Sequence, residues 1–527
     1  MNRYQLSRRY FFYGPLLAGA IPAGGFGSVP SLSAAGFKSY LNKLNIAGVG
    51  IGGRGASDLA PVAVSENIVA LCDVNDTYAA HTFDTYPKAE KFKDFRQMLD
   101  KRSREIDAVI IGTPDHSHTP VALAAMQHGK HVYCEKPLTR TVWEARLLRQ
   151  AAAKYKVATQ MGNQGYSLEG TRTCAEILWS GEIGSVREVH SWTGLIFSGR
   201  VDLKGAAPPE EPIPDGLDWD LWLTTAATRP YYSEMFKRWR NFIDFSTGGS
   251  LGDWVVHNLG PANLALQLDK APPISVECVK IEEKDQRIWP LSARLRYEFP
   301  ARGAMPPVNI NVYLNMPPDV KRPDGMAEDE PLLPPTNNLA ERGRPAPPQP
   351  GAGAFGARGG RSELTFEARG GRGDAGQGGR AGAPGGPGAP GGQRGPSAVA
   401  RRGTNSLDAQ NGALFVGDKG YMATIARGEG VWLLPASRWK DYELPPQLLP
   451  RSVSHQQDWV RACKGGTPAC SNFDIAVPYI EWLILGAVAL RTPGKLMWDA
   501  ANMRFTNNNE ANQYLKPYIR KGWELKL

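Results

Sequence analysis

The apolar run Leu44–Val49 ends in Gly50-Ile51-Gly52-Gly53-Arg54-Gly55, and few folds accept so many glycines directly behind a strand. Placed there, glycines permit a tight strand-to-helix turn and let the backbone approach a pyrophosphate at the helix start. Two frames fit G-x-G-x-x-G, 48/50/53 and 50/52/55, and the second leaves Leu44–Val49 uninterrupted. The next apolar run, Ile68–Cys72, delivers Asp73 roughly 20 residues after Gly50, the spacing of an acid that holds a ribose hydroxyl. An acid there repels the extra phosphate of NADP, so NAD is the expected cofactor and NADP the lesser one. A plain turn with a helix-capping Asp is the alternative.

Further short apolar runs follow at Ala108–Gly112, His131–Cys134 and Val157–Gln160, with helical stretches from Thr119-Pro120 to Gly129 and from Thr141 to Tyr155. That alternation predicts a doubly wound parallel sheet over residues 40–160. Past residue 160 the rhythm changes. Val186–Trp192, Leu291–Phe299, Val308–Leu314 and Tyr421–Ile425 read as strands of an antiparallel sheet, and Gln456–Cys463 and Asp474–Leu490 as helices. Residues 161–527 are therefore a second domain of mixed type. It is interrupted at 318–404, where residues 351–400 alone hold 18 Gly, too many to offset ordering entropy by burial. A disordered surface insertion is expected there, in preference to an Arg/Gly RNA-binding tail.

The formal net charge of +9 is carried by the N-terminal stretch and the insertion. Residues 1–40 hold four basic residues and no acid, and 341–402 hold ten Arg against four acids, which leaves the folded body near neutral. No nucleic-acid partner is implied. Ser7-Arg8-Arg9 ahead of a mild apolar stretch matches a twin-arginine export signal within residues 1–35, too short to be a stable membrane anchor. A periplasmic or other extracytoplasmic location follows. Six scattered cysteines form no C-x-x-C pair, and only Cys463 and Cys470 are near enough in sequence to bridge.

Three segments carry candidate chemistry. Thr113-Pro114-Asp115-His116-Ser117-His118 sits at the carboxyl end of a strand, where open α/β sheets bind ligands, and puts Thr113, Pro114 and His118 near the cofactor. A metal held by Asp115, His116 and His118 lacks further ligands. The next strand delivers Glu135-Lys136 to the same edge, where a lysine reaches both cofactor and substrate hydroxyl. After a glycine-rich run come Asp253 and His257, four apart and so on one face of a helix. Histidine titrates in the range needed to take a hydroxyl proton, and the aspartate can bond substrate or stabilise a charged imidazole.

Together, the stretch Gly112–Pro137, Gly162-Asn163-Gln164, the run to Asp253 and His257, and Arg520-Lys521-Gly522-Trp523 resemble the glucose–fructose oxidoreductase and inositol dehydrogenase family, Gfo/Idh/MocA. The resemblance covers about residues 44–316 and 405–527. It implies a Rossmann domain followed by an α/β domain whose large, open, mostly antiparallel sheet mediates a homo-oligomer, dimer or tetramer. It implies Lys136, Asp253 and His257 as the catalytic trio, with Lys136 also touching the cofactor. Asn163, Trp192 and Arg240 would line the substrate cleft, Asn163 also reaching the cofactor.

The expected activity is NAD-dependent oxidoreduction of a sugar, cyclitol or glycoside hydroxyl. A glycosidase or a sugar transhydrogenase that recycles bound NAD(P), and a non-catalytic sugar-binding protein on the same scaffold, are the competing readings.

Overall fold

The computed structural model describes residues 42–194, 201, 203, 208–282, 285–342 and 411–527. The expected export signal and the glycine-rich stretch of the insertion lie outside the described residues.

Six short strands form the first sheet: β1 (Asn45–Val49), β2 (Asn67–Cys72), β3 (Glu90–Phe92), β4 (Ala108–Ile111), β5 (His131–Glu135) and β6 (Thr159–Gly162). All pair in parallel, in the order β3-β2-β1-β4-β5-β6. The order reverses between β1 and β4, which opens a crevice at the carboxyl ends of those strands. Helices α1 (Arg54–Ala63), α2 (Asp76–Thr85), α3 (Phe95–Arg102), α4 (Asp115–Gln127) and α5 (Val142–Tyr155) make the crossovers. Thr141 and Glu144 start α5 with a reciprocal capping box. Helix α4 begins earlier than Thr119-Pro120 suggests, at Asp115. Pro120 cannot return a hydrogen bond to the His116 carbonyl, and the Thr225 hydroxyl takes that acceptor instead, at 3.4 Å.

The second sheet holds β7 (Val186–Thr193), β8 (Ser275–Glu282), β9 (Ser292–Phe299), β10 (Val308–Leu314), β11 (Gly412–Gly417), β12 (Tyr421–Ile425), β13 (Val431–Leu434), β14 (Lys495–Asp499) and β15 (Arg504–Phe505). Their order is β13-β12-β11-β7-β10-β9-β8-β14-β15, antiparallel except for β7 with β10. Strand β9 shows why one face is core: Ala293, Leu295, Tyr297 and Phe299 are buried, while Arg294, Arg296 and Glu298 alternate with them. The buried face meets the long apolar helix Phe473–Ala489, where Trp482 packs edge-on against Tyr297 and Phe299. No helix of the described residues is long and apolar enough to cross a membrane.

Two features bear on the sequence expectation. The expected insertion is not disordered at its start: residues up to 342 run as an ordered strap over the other face of this sheet. Met316, Val320, Met326, Leu332 and Leu333 pack there against Trp192, Tyr313, Leu414 and Trp432. The Trp432 indole donates to the Thr336 carbonyl, and the Asn338 side chain accepts from Val431 N. Enough apolar anchors are spaced along the strap to offset its ordering despite its prolines. The other feature is Cys463 and Cys470, near enough in sequence to bridge, which are free thiols. Cys463 is core, and Cys470 Sγ lies 3.2 Å from the Ser167 hydroxyl.

The chain's last part returns to complete the first sheet. The helix His455–Cys463 drives Trp459 into the cluster formed by Leu59, Ile110 and Tyr133, and Lys464 pairs with the buried Glu66 at 2.7 Å. The Trp459→Ala variant should lose about 3–5 kcal/mol of stability. Denaturant unfolding followed by far-UV dichroism checks this; an unchanged midpoint would show that the returning helix does not hold the first sheet.

Candidate functional site

Gly50 adopts φ +71°, and a β-carbon there would stand 2.6 Å from Thr113 Cγ2 and 2.7 Å from Thr113 N. Only glycine lets this turn lie flat on the end of β4. Helix α1 then starts at Gly53 with no side-chain cap and no acid in its first turn. No side-chain cap or first-turn acid serves its leading amides, of which Gly55 N bonds the Gly52 carbonyl at 3.2 Å, and such a helix start suits an anion such as a pyrophosphate. Asp73 braces the turn: one carboxylate oxygen accepts from Ile51 N at 2.9 Å and Gly52 N at 3.3 Å, the other from Asn75 N at 2.9 Å. Burial raises its pKa above the usual carboxylate value against the pull of these amides. Three amides still leave part of the carboxylate's acceptor capacity for a ribose hydroxyl.

A cavity of about 410 Å³ is lined by Gly50, Gly52, Asp73, Thr113, Pro114 and Arg240. Its opposite wall comes from the second part of the chain, through Trp222, Phe236 and Trp239. The donor set fits a dinucleotide: an uncapped helix start for the phosphates, an acid for a ribose, and apolar walls for the rings.

Arg54 contributes differently from its neighbours in the turn. Its guanidinium binds Asp58 at 2.5 Å and Glu135 at 3.1 Å, so its side chain is spent inside the fold. Glu135 also accepts from Gln164 Nε2 at 2.6 Å. This network fixes the end of β5, where Lys136 emerges.

Lys136 Nζ donates to Asp253 Oδ1 at 2.7 Å and to the Asp253 carbonyl at 2.9 Å. Arg240 Nε reaches the same Oδ1 at 3.1 Å. Burial raises the Asp253 carboxyl, but the Lys136 and Arg240 charges outweigh it and hold the group below its ordinary value. Asp253 lies in a π-turn, Leu251–Val255, closed by Val256 N on the Leu251 carbonyl. The wider turn takes Asp253 off the stripe that a plain helix would share with His257. Asp253 therefore partners Lys136 rather than the imidazole, contrary to the four-residue spacing argument. A β-carbon on Gly252 would fall 2.5 Å from the Thr247 carbonyl and 3.0 Å from Pro137 Cγ. That contact brings the π-turn against the Lys136-Pro137 loop.

His257 is 3% exposed, its Nδ1 has no hydrogen-bond partner, and its ring meets Trp254 edge-on at 5.8 Å. Burial, then the Lys136 and Arg427 charges, push its pKa well below the usual value, so the ring is neutral. Asn163, at the end of β6, is 1% exposed with neither side-chain polar atom partnered. Two such orphaned groups are expensive to bury unless a ligand meets them.

Two expected site residues are placed elsewhere. His118 has Nδ1 2.8 Å from the Pro137 carbonyl and Nε2 2.9 Å from the Thr113 carbonyl. Burial lowers its pKa, so the neutral ring donates its single N–H to one of these two carbonyls and has no donor left for a cofactor. Trp192 points to the strap face, because strand alternation sets it opposite Val189 and Ser191. Its carbonyl, not its ring, meets the site segment, accepting from Asn258 Nδ2 at 2.9 Å. Of the supposed metal set, His116 is wedged between Trp222 and Phe245 with Nε2 2.7 Å from the Trp222 carbonyl, and Asp115 accepts from Thr247 N. Sequence reading missed Arg427 and the role of Gln164. Arg427 carried no signal, since only the second sheet brings it near His257.

Asp115 is pushed up to about 7, by burial first and then by the Asp253 charge, against Arg240 and Lys136. A raised carboxyl stabilises the fold fully below its unfolded pKa and loses that stability as pH rises through about 7. Asp115→Asn keeps an acceptor for Thr247 N and removes the loss. It should be the more stable protein at pH 8 by roughly 1–4 kcal/mol and lack this slope between pH 4 and 7. Urea midpoints across that range test it; parallel curves for the two proteins would refute it.

Residues 44–163 match the Gfo/Idh/MocA model described as an oxidoreductase family, NAD-binding Rossmann fold, and residues 187–300 match its C-terminal alpha/beta domain. Inositol 2-dehydrogenase of Salmonella paratyphi B is 31% identical over 151 residues, 28% of this chain and 44% of that enzyme. Glycosyl hydrolase family 109 protein 2 of Akkermansia muciniphila is 31% identical over 142 residues, 25% of this chain and 30% of that protein. The matched stretch thus spans less than half of these relatives' length. The crystal structure of aldose-aldose oxidoreductase from Caulobacter crescentus, complexed with glycerol, has the same fold, with a TM-score of 0.50 and 14% identity over 87% of this chain and 100% of that one.

Proposed function

We propose that this protein, a Gfo/Idh/MocA-family oxidoreductase by both of its matched domains, interconverts a hydroxyl and a carbonyl on a sugar, cyclitol or glycoside with NAD. The observation that carries the reading is the Lys136–Asp253 pair at the end of β5, beside the buried, neutral His257. Bound NAD supplies the hydride acceptor. The neutral imidazole of His257 takes the hydroxyl proton. The Lys136 ammonium donates to the same substrate oxygen as its charge grows, and Asp253 with Arg240 keeps that ammonium in place. Asp73 receives a ribose hydroxyl and disfavours a phosphate there. The names of the relatives, inositol dehydrogenase among them, support a polyhydroxylated substrate. The Arg8-Arg9 motif supports export of the folded, cofactor-loaded protein.

Lys136→Met and His257→Gln should each cut turnover roughly 10²- to 10⁴-fold while still binding NAD. The assay offers a panel of sugars and glycosides to the purified protein and follows nicotinamide absorbance and product together. Near-normal turnover in either variant sinks the assignment. Product without lasting NADH would identify a closed redox cycle, glycosidase or transhydrogenase, in place of simple dehydrogenation. Asp73→Ser should bind NAD about tenfold more weakly and discriminate less against NADP, read by fluorescence titration of both nucleotides; unchanged selectivity would remove Asp73 from the cofactor's ribose.

A further inference from the structure

The turn Ala426–Gly428 joins β12 to β13 and holds Arg427 at φ 60°, ψ 5°, a left-handed conformation that costs a non-glycine residue. The fold makes room for it. A β-carbon on Gly165, two residues after Asn163, would stand 2.8 Å from Arg427 Cα. The strained turn therefore seats Arg427 directly over the Asn163 loop. Its guanidinium lies 5.3 Å from the centroid of the Trp254 ring, and that ring meets His257.

The charges around the site do not balance at this position. Lys136 and Arg240 share Asp253, and Arg54 has Asp58 and Glu135. Arg427 has only Glu429 among the described carboxylates, at 4.0 Å, beyond hydrogen-bond reach. Arg427 Nε is buried with no partner among the described residues, and the amide of Asn163 is likewise orphaned. The remaining guanidinium is accessible, with 37% of the side chain exposed. A guanidinium stacked on an indole, with its fork unfilled, suits a planar anion that accepts two parallel hydrogen bonds.

We infer that Arg427 reads a carboxylate on the substrate, so that acidic sugars, uronates or aldonates, are the substrate class of this site. This rests on the reading of Lys136 and His257 as the hydroxyl-handling pair. Asn163 then faces neutral hydroxyls of the same molecule, and Trp254 presents an apolar face between the two ends. A sugar phosphate offers the same kind of anion, and the test separates the two.

The full-length, NAD-loaded protein is titrated with glucose, glucuronate and glucose 6-phosphate, and with galactose and galacturonate, by tryptophan fluorescence, with turnover recorded alongside. The wild type should bind each uronate roughly ten- to a hundredfold more tightly than its neutral partner, as expected for a charge-assisted pair. Arg427→Gln should erase that ratio while NAD affinity is kept. Arg427→Lys, which retains charge without the fork, should keep a reduced ratio; it carries the comparison should the glutamine variant fail to hold NAD. Equal binding of neutral and acidic sugars by the wild type, or a ratio that survives Arg427→Gln, overturns the inference. Preference for the phosphate over the uronate overturns the carboxylate assignment. Selective uronate binding without turnover of any sugar leaves the Arg427 assignment standing and removes the oxidoreductase reading on which its catalytic meaning depends.

Discussion

Lys136 sits at the inner end of β5 with little access to water, and a positive charge so placed is tolerated only with a counter-charge and its hydrogen bonds in place. Asp253 supplies both, through a carboxylate oxygen and its own carbonyl. The consequences spread outward. For Asp253 to arrive there, Leu251–Val255 must turn as a π-helix against Pro137, which Gly252 makes room for. That placement leaves His257 next to a cation rather than an anion, so burial first and the Lys136 charge second keep the imidazole neutral. Arg240, held to the same carboxylate, also lines the cavity that Gly50 and Asp73 line.

A second network steadies the other side of Lys136. Glu135 and Asp58 lie buried around the Arg54 guanidinium, with Gln164 and Gln456 supplying amide hydrogens. Burial and then the Glu135 charge push the Asp58 carboxyl well up, while Arg54 and Lys136 outweigh burial to keep Glu135 low, so the pair carries less negative charge than two free carboxylates. Five residues from four separate stretches of chain thus hold one strand end. The energetic stake is high, because a buried polar network is costly when only partly satisfied. Its location explains why the catalytic candidates sit on regular elements and short turns rather than long loops.

The second sheet serves two purposes on two faces. One face, with Tyr297 and Phe299, packs on the helix that includes Trp482 and gives the site a rigid floor. The opposite face is partly closed by the chain's own strap, which takes Trp192 and Tyr313 out of solvent. The outer residues of β9, Arg294 and Arg296, remain polar. Between these faces, the β12–β13 turn projects Arg427 toward Trp254.

Much of this was legible along the chain. Strand alternation with helices, the glycines after β1 and the acid after β2 specify a parallel sheet with a nucleotide crevice, because each signal is local and tied to backbone geometry. Lys136 and His257 were legible as chemical types near strand and helix ends. What the sequence could not reveal is partnership. A spacing of four put Asp253 on one face with His257 and left it to bond substrate or imidazole, but a π-turn packed on Pro137 gave it to Lys136. Strand parity sent Trp192 to the far face, and a backbone carbonyl claimed the one N–H of His118. Arg427 and Trp459 act on residues hundreds of positions away in the chain, and no local pattern encodes such neighbours. Local sequence determines which backbone path each segment prefers; only the closed fold decides which charges meet, since desolvation and pairing exist only once the segments are packed together.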